Sequence, residues 1–144
     1  MTVATALAPS VIIHGLPHAL AALAHGRPVT LLSAPGVPSY AGCGWWRSVI
    51  AAALARYPGA DAPDVLDCAD APGRALEALS VGCRLLVLTP CPAWMDVSAR
   101  AAALGAHVLT AAPPALDLAQ RGAERRLLAW LDPRPARDTG ASIG

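Results

Sequence analysis

The side chains able to do chemistry in this chain are few and scattered. Cys91, in "LTPCPAWMD", ends an apolar run and precedes a helical pattern. A thiol placed there feels the positive end of a helix and unpaired amides, which favour the thiolate and make it a candidate nucleophile. Loops that carry a phosphoryl group on cysteine place an Arg six positions on; here that position is Val97, the next Arg is Arg100, and Pro92 removes an amide. The base that could serve Cys91 is His14, at a neighbouring strand end. Without that arginine, the stretch reads first as a small apolar residue at a turn.

The histidines give a second constellation. His18 and His25 are seven residues apart, hence on one helix face, with His14 at the start of that helix. Seven residues rise about 10.5 Å, too far for two ligands of one ion, so no metal is expected. His25 in the last turn suits the negative end of the helix. Asp67 and Asp70 flank Cys68, where two carboxylates could do acid/base work or hold Mg²⁺; "DAPG" also reads as a strand-to-helix turn with Asp70 as the cap. Gly36, Gly42 and Gly44 in "SAPGVPSYAGCG" are spaced six and two apart, which matches neither the dinucleotide fingerprint nor the phosphate loop, and the chain has no Lys. What remains from Ser33 to Gly44 is a loop offering amides and Ser39 to a small anion. The candidate residues are therefore Cys91, His14 and Asp70 for catalysis and Ser33, Gly36, Ser39, Thr89 and Thr110 for a ligand; no cofactor is expected.

These positions share one property: they fall at the ends of apolar runs. "SVIIHG", "PVTLLSAPG", "DVLDCAD", "RLLVLTP" and "AHVLTAAP" read as buried strands. Between them, "LPHALAALAHG", "SYAGCGWWRSVIAAALARYPG", "APGRALEALSVG" and "PAWMDVSARAAALG" read as helices, with Ser39 and Asp70 as N-caps and Gly26 and Pro58-Gly59 as stops. The stretch "PPALDLAQRGAERRLLAWLDP" reads as a last helix, with Ala123, Leu127, Trp130 and Leu131 on one stripe. Helices alternating with apolar runs predict an α/β fold: a three-layer α/β/α sandwich on a mostly parallel, doubly wound, five-stranded sheet in the order 2-1-3-4-5. Its outline is flavodoxin-like or Rossmann-like, a likeness of architecture that transfers no catalytic residues. In such sheets ligands bind at the carboxyl ends of the strands, where the chain order reverses.

Composition sets the bounds. The 144 residues make one domain, expected over 1–131 with a flexible tail over 132–144. Hydrophobic residues make up 55% and charged ones 15%, far from a disordered composition. A net charge of +1 argues against nucleic acid. The start lacks a basic signal region and no run is long enough to span a bilayer, so no membrane partner is expected. Four cysteines without a CxxC pair are expected as free thiols in a cytoplasmic protein.

On the long helix, Trp46, Ile50, Ala53 and Tyr57 form a core stripe, leaving Trp45 beside Val49, Ala52 and Arg56. A rim Trp with small residues and an Arg has the make-up of an interface, so a homodimer through this face is expected, with the Trp130 helix as the competing surface. Three functions remain: a non-catalytic binding or regulatory module that self-associates; a small enzyme using Cys91, His14, Ser33 and Asp70; or a nucleotide- or phosphate-binding domain using the Ser33–Gly44 loop.

Overall fold

The computed structural model describes residues 6–132. In chain order the elements are β1 (Ser10–Ile13), α1 (Leu16–Leu23), β2 (Thr30–Ser33), α2 (Val37–Tyr40), α3 (Cys43–Arg56), β3 (Asp64–Asp67), α4 (Pro72–Ser80), β4 (Leu85–Val87), α5 (Trp94–Ala103), β5 (His107–Leu109), β6 (Ala115–Asp117) and α6 (Ala123–Leu131). The strands form one all-parallel sheet in the order β5-β4-β3-β2-β1-β6. The α/β class and the parallel sheet are those the alternating pattern dictates.

Three features differ from the sequence expectations. The sheet has six strands instead of five, because Ala115–Asp117, read as part of the last helix, pairs with β1. The order is not 2-1-3-4-5: β1 to β5 are laid down side by side without reversal, and only β6 falls on the far side of β1. The helix caps also moved. Gly42, at φ 94°, caps α3 while Ser39 sits inside the short α2, and Ala71 caps α4 without a side-chain bond from Asp70. Glycine at Gly42 adopts the left-handed turn between α2 and α3 at no steric cost, so no side-chain cap is needed to break the helix there. The tail expected from 132 onward lies, from residue 133, outside the described residues.

The strand order explains how the two sheet faces are covered. Right-handed crossovers stepping four times in one direction place their helices on one face. Accordingly, the buried helix residues, Trp46, Ile50, Ala53, Ala78, Val97, Leu127 and Leu131 among them, all join one cluster with Val11, Leu31, Leu66 and Leu86. The opposite face carries a smaller cluster of Leu32, Val65 and Val87, against which Leu7, Leu109 and Ala115 pack. Leu109 and Ala115, at opposite sheet edges, are six Cα steps apart, at most about 21 Å. A flat six-stranded sheet spans about 24 Å. The sheet therefore curls, and the 110–114 link crosses the face that carries the small cluster, from the carboxyl end of β5 to the amino end of β6.

Core chemistry follows the same plan. Trp46 is fully buried, its indole N–H donating to Asp64 Oδ2 at 3.0 Å, and Arg47 reaches the same oxygen at 3.5 Å. Trp45 is half-buried against the main cluster, as a rim position requires. Val49 is 8% exposed and belongs to the core, so of the expected interface face only Ala52 and Arg56 are fully exposed. The α3 wheel turns Val49 inward because α1 packs along that side.

Candidate functional site

The chain reverses its order at β1, which has β2 on one side and β6 on the other. The carboxyl ends of β1 and β6 therefore lie side by side, at the point where the strand order reverses. His14 follows the last residue of β1, and Asp117 is the last residue of β6. His14 Nε2 lies 2.7 Å from Asp117 Oδ1. The same oxygen accepts the Ala119 N–H at 2.9 Å, in a turn the aspartate closes on its own chain. His18, one turn into α1, stands edge-on to His14 with ring centroids 5.6 Å apart, and its Nδ1 accepts the His14 backbone N–H at 3.1 Å.

These contacts fix the chemistry of each group. His18 accepts at Nδ1, so its neutral ring carries the proton on Nε2. Burial raises the affinity of Asp117 for its proton, but the Ala119 N–H and the neighbouring imidazoles of His14 and His18 outweigh it and hold the carboxyl below its ordinary value. The ionised Asp117 accepts a hydrogen bond from His14 Nε2–H, which in the neutral imidazole leaves Nδ1 as an acceptor. Both side chains are about a third exposed, at 36% and 31%. No group of three His, Cys, Asp or Glu among the described residues has the arrangement to hold a metal ion.

A second group of polar residues sits at the ends of β2, β3 and β4. Ser33, expected to contact a ligand, is fully buried and committed: its hydroxyl donates to Ala34 O at 3.0 Å and accepts the Asp67 N–H at 2.9 Å. The Gly36 N–H, expected to face an anion, donates to Asp67 O at 3.0 Å. The loop expected from Ser33 to Gly44 is largely the short helix α2, and Ser39 is exposed within it. Asp67 Oδ1 accepts the Ala69 N–H at 2.9 Å, and Ala69 is held left-handed at φ 51°. Burial pushes the Asp67 carboxyl above its ordinary value, with the Ala69 N–H acting the other way.

The remaining candidates stand apart. Asp70 is exposed, Thr89 and Thr110 are exposed, and Cys91 is half-buried beside Pro90 and Pro92. No hydrogen bond or ion pair joins Cys91, His14, Ser33 and Asp70 to one another. Cys68 and Cys83 are buried, and burial pushes each thiol up to about 12, so neither is a nucleophile at neutral pH. Two open clefts occur elsewhere on the surface, and of the catalytic and ligand candidates only Thr110 lines either of them. One of about 440 Å³ runs between the ends of α1 and α3 beside Arg27, Arg56 and Tyr57; another of about 580 Å³ runs along the β5 edge past Thr110. Both are open surface grooves without a convergent set of polar groups, whereas hydrogen-bond geometry singles out the carboxyl ends of β1 and β6.

Sequence reasoning found His14 and missed its partner. Asp117 was hidden in an apparent helix, although "LDLA" repeats the pattern of "LDCA" at the end of β3. The chain matches no family model, and no characterised protein matches it.

Proposed function

We propose that the protein is a small cytoplasmic binding module without covalent chemistry of its own, which takes a polar small molecule at the carboxyl ends of β1 and β6 and self-associates. The observation that carries this reading is the 2.7 Å contact between His14 and Asp117 at the switch point of the sheet. It presents an oriented imidazole at the carboxyl ends of these strands, while the candidate nucleophile Cys91 makes no hydrogen bond to His14. Four free thiols suit a reducing compartment, and no helix among the described residues is long and apolar enough to cross a membrane. A soaking or ligand screen read by the His14 and His18 ring resonances tests the site. Ligands that shift other residues and leave both rings unmoved would sink it.

Self-association draws support from large apolar side chains left exposed. On α6, Leu128 is 48% and Trp130 37% exposed, next to β6, the outermost strand among the described residues. With Val49 turned into the core, this surface is the better one for a dimer, and the Trp45, Ala52 and Arg56 face is the alternative. Light scattering decides: wild type is expected as a dimer that Leu128→Glu dissociates and Trp45→Glu leaves intact.

A second reading is favoured by the same pair. A carboxylate that accepts a hydrogen bond from one imidazole N–H leaves the other nitrogen able to accept a proton, the arrangement of a general base. Under it, His14→Gln abolishes turnover of a bound ligand. Iodoacetamide labelling separates both from a cysteine enzyme: Cys91 is expected to react no faster than a free model thiol.

A further inference from the structure

The entry to α1 lacks the usual anchors. Gly15, the residue before the helix, has no side chain with which to cap it, Pro17 has no N–H, and no acidic residue stands in the first turn. One side chain takes over. His18 is the third residue of α1, the position from which a Glu or Gln reaches back to a backbone N–H in a capping box, and its Nδ1 accepts the His14 N–H at 3.1 Å. That bond ties α1 to the end of β1, where His14 Nε2 lies 2.7 Å from Asp117 Oδ1.

Unlike Glu or Gln, an imidazole accepts a hydrogen bond in only one of its protonation states. The neutral ring has one bare nitrogen, here Nδ1 of His18, whereas the protonated ring carries an N–H on both. A proton on His18 Nδ1 sets one N–H against another, so the bond is lost and the two donors repel. His14 answers acid differently: its Nε2–H already donates to Asp117, and a proton added at Nδ1 leaves that contact in place.

The groups around His18 are few. The His14 ring stands edge-on to it with centroids 5.6 Å apart, and Asp117, across on β6, is near enough that His18 helps to lower its affinity for a proton. The carboxylate favours a charged ring, whereas His14 and the amino end of α1 oppose one. On α3, which packs along α1, the ionisable groups are engaged elsewhere. Cys43 is buried and donates to Arg74 O, Arg47 pairs with Asp64, and Arg56 lies at the opposite end of α1 beside Leu23 and Gly26.

We infer that His18 is a proton-sensitive latch on the junction of β1 and α1. Neutral, it holds the His14 backbone to the helix; protonated, it lets go, while the His14 side chain stays on Asp117. The latch goes beyond the ligand reading, because it concerns how His14 is held and not what His14 binds.

The test is hydrogen exchange of the full chain, read by NMR from about pH 8 to about pH 5, the range in which imidazoles titrate. The readout is the protection of the residue 14 amide, corrected for the intrinsic pH dependence of exchange, with the His14 and His18 ring resonances followed in parallel. Protection is expected to fall about tenfold, the loss of one hydrogen bond, with its midpoint at that of the His18 ring. His18→Gln keeps an acceptor at the same helix position and is expected to hold protection level across the range. His14→Gln removes the other imidazole and is expected to leave the fall in place. The coincidence of midpoints in the wild-type protein decides the matter without either variant. A fall that follows the His14 ring, that persists in His18→Gln or that disappears in His14→Gln overturns the latch. So does protection that stays level while His18 titrates, or a His18 ring that remains neutral down to about pH 5. None of these outcomes bears on whether a ligand binds at His14.

Discussion

The ends of β3 and β6 share one hydrogen-bonded motif in two settings. Leu66-Asp67-Cys68-Ala69 and Leu116-Asp117-Leu118-Ala119 each bury the leucine and close the aspartate onto the amide two residues on, at 2.9 Å in both. Yet the carboxyl of Asp67 is pushed up and that of Asp117 is held down. β3 is an inner strand, so its end is walled by neighbours and desolvation dominates. β6 is an edge strand beside β1, so its carboxyl keeps water and gains His14. A local motif sets the hydrogen bond; strand position sets the charge.

The largest expected difference between the two ends lies in their leucines. Leu66→Ala opens a cavity at a fully buried site between two strands and is expected to cost about 4 kcal/mol. Leu116→Ala, at 7% exposure on an edge strand that can relax, is expected to cost about 2 kcal/mol. Equal losses in denaturant unfolding would show that the two ends are equally embedded.

Charge removal sharpens the contrast by acting in opposite directions. The folded value of Asp117 is depressed, so its contribution is present above the ordinary 3.8 and is lost as pH falls through the folded value. The folded value of Asp67 is raised, so its contribution is complete below 3.8 and is lost as pH rises through the folded value. At neutral pH, Asp67→Asn is therefore expected to raise the unfolding midpoint, with the gain vanishing in acid. Asp117→Asn is expected to lower it by under about 1 kcal/mol, since that pair is partly exposed. A loss of stability in both variants at neutral pH would contradict the distinction.

The smallest effects come from the turn alanines. Ala69 is left-handed and Ala119 is not. Ala69→Gly is expected to stabilise by about 0.5 kcal/mol, the relief of the left-handed penalty less the entropy of glycine, and Ala119→Gly to destabilise by a similar amount. Thermal unfolding of the two variants checks the signs.

Much of this was legible in the sequence. The five longer strand signals, the helices between them, the core stripe of Trp46, Ile50 and Ala53, and His14 at a strand end all follow from periodicity and turn residues. What was not legible has physical causes. β6 is as short as β4 and β5, but Asp117 cuts its apolar run, and Pro113-Pro114 before it reads as loop. Strand order depends on which edge the last strand joins, a long-range choice with no local signature. Asp117 was invisible as a site residue because its role depends on that choice, although its likeness to the Asp67 turn was present in the sequence. Ser33 and Gly36 looked available because nothing local shows that Asp67 takes them both.

The most direct measurement is the ¹³C titration of the Asp67 and Asp117 side-chain carboxyls in the wild-type protein. Two aspartates with the same hydrogen bond to the amide two residues on but opposed surroundings are expected to titrate on opposite sides of the ordinary value of 3.8, Asp117 below it and Asp67 above. The Asp117 midpoint should rise in His14→Gln while that of Asp67 stays in place. Coincident midpoints, or an Asp117 indifferent to the loss of His14, would contradict the assignment of the carboxyl ends of β1 and β6 as the functional site.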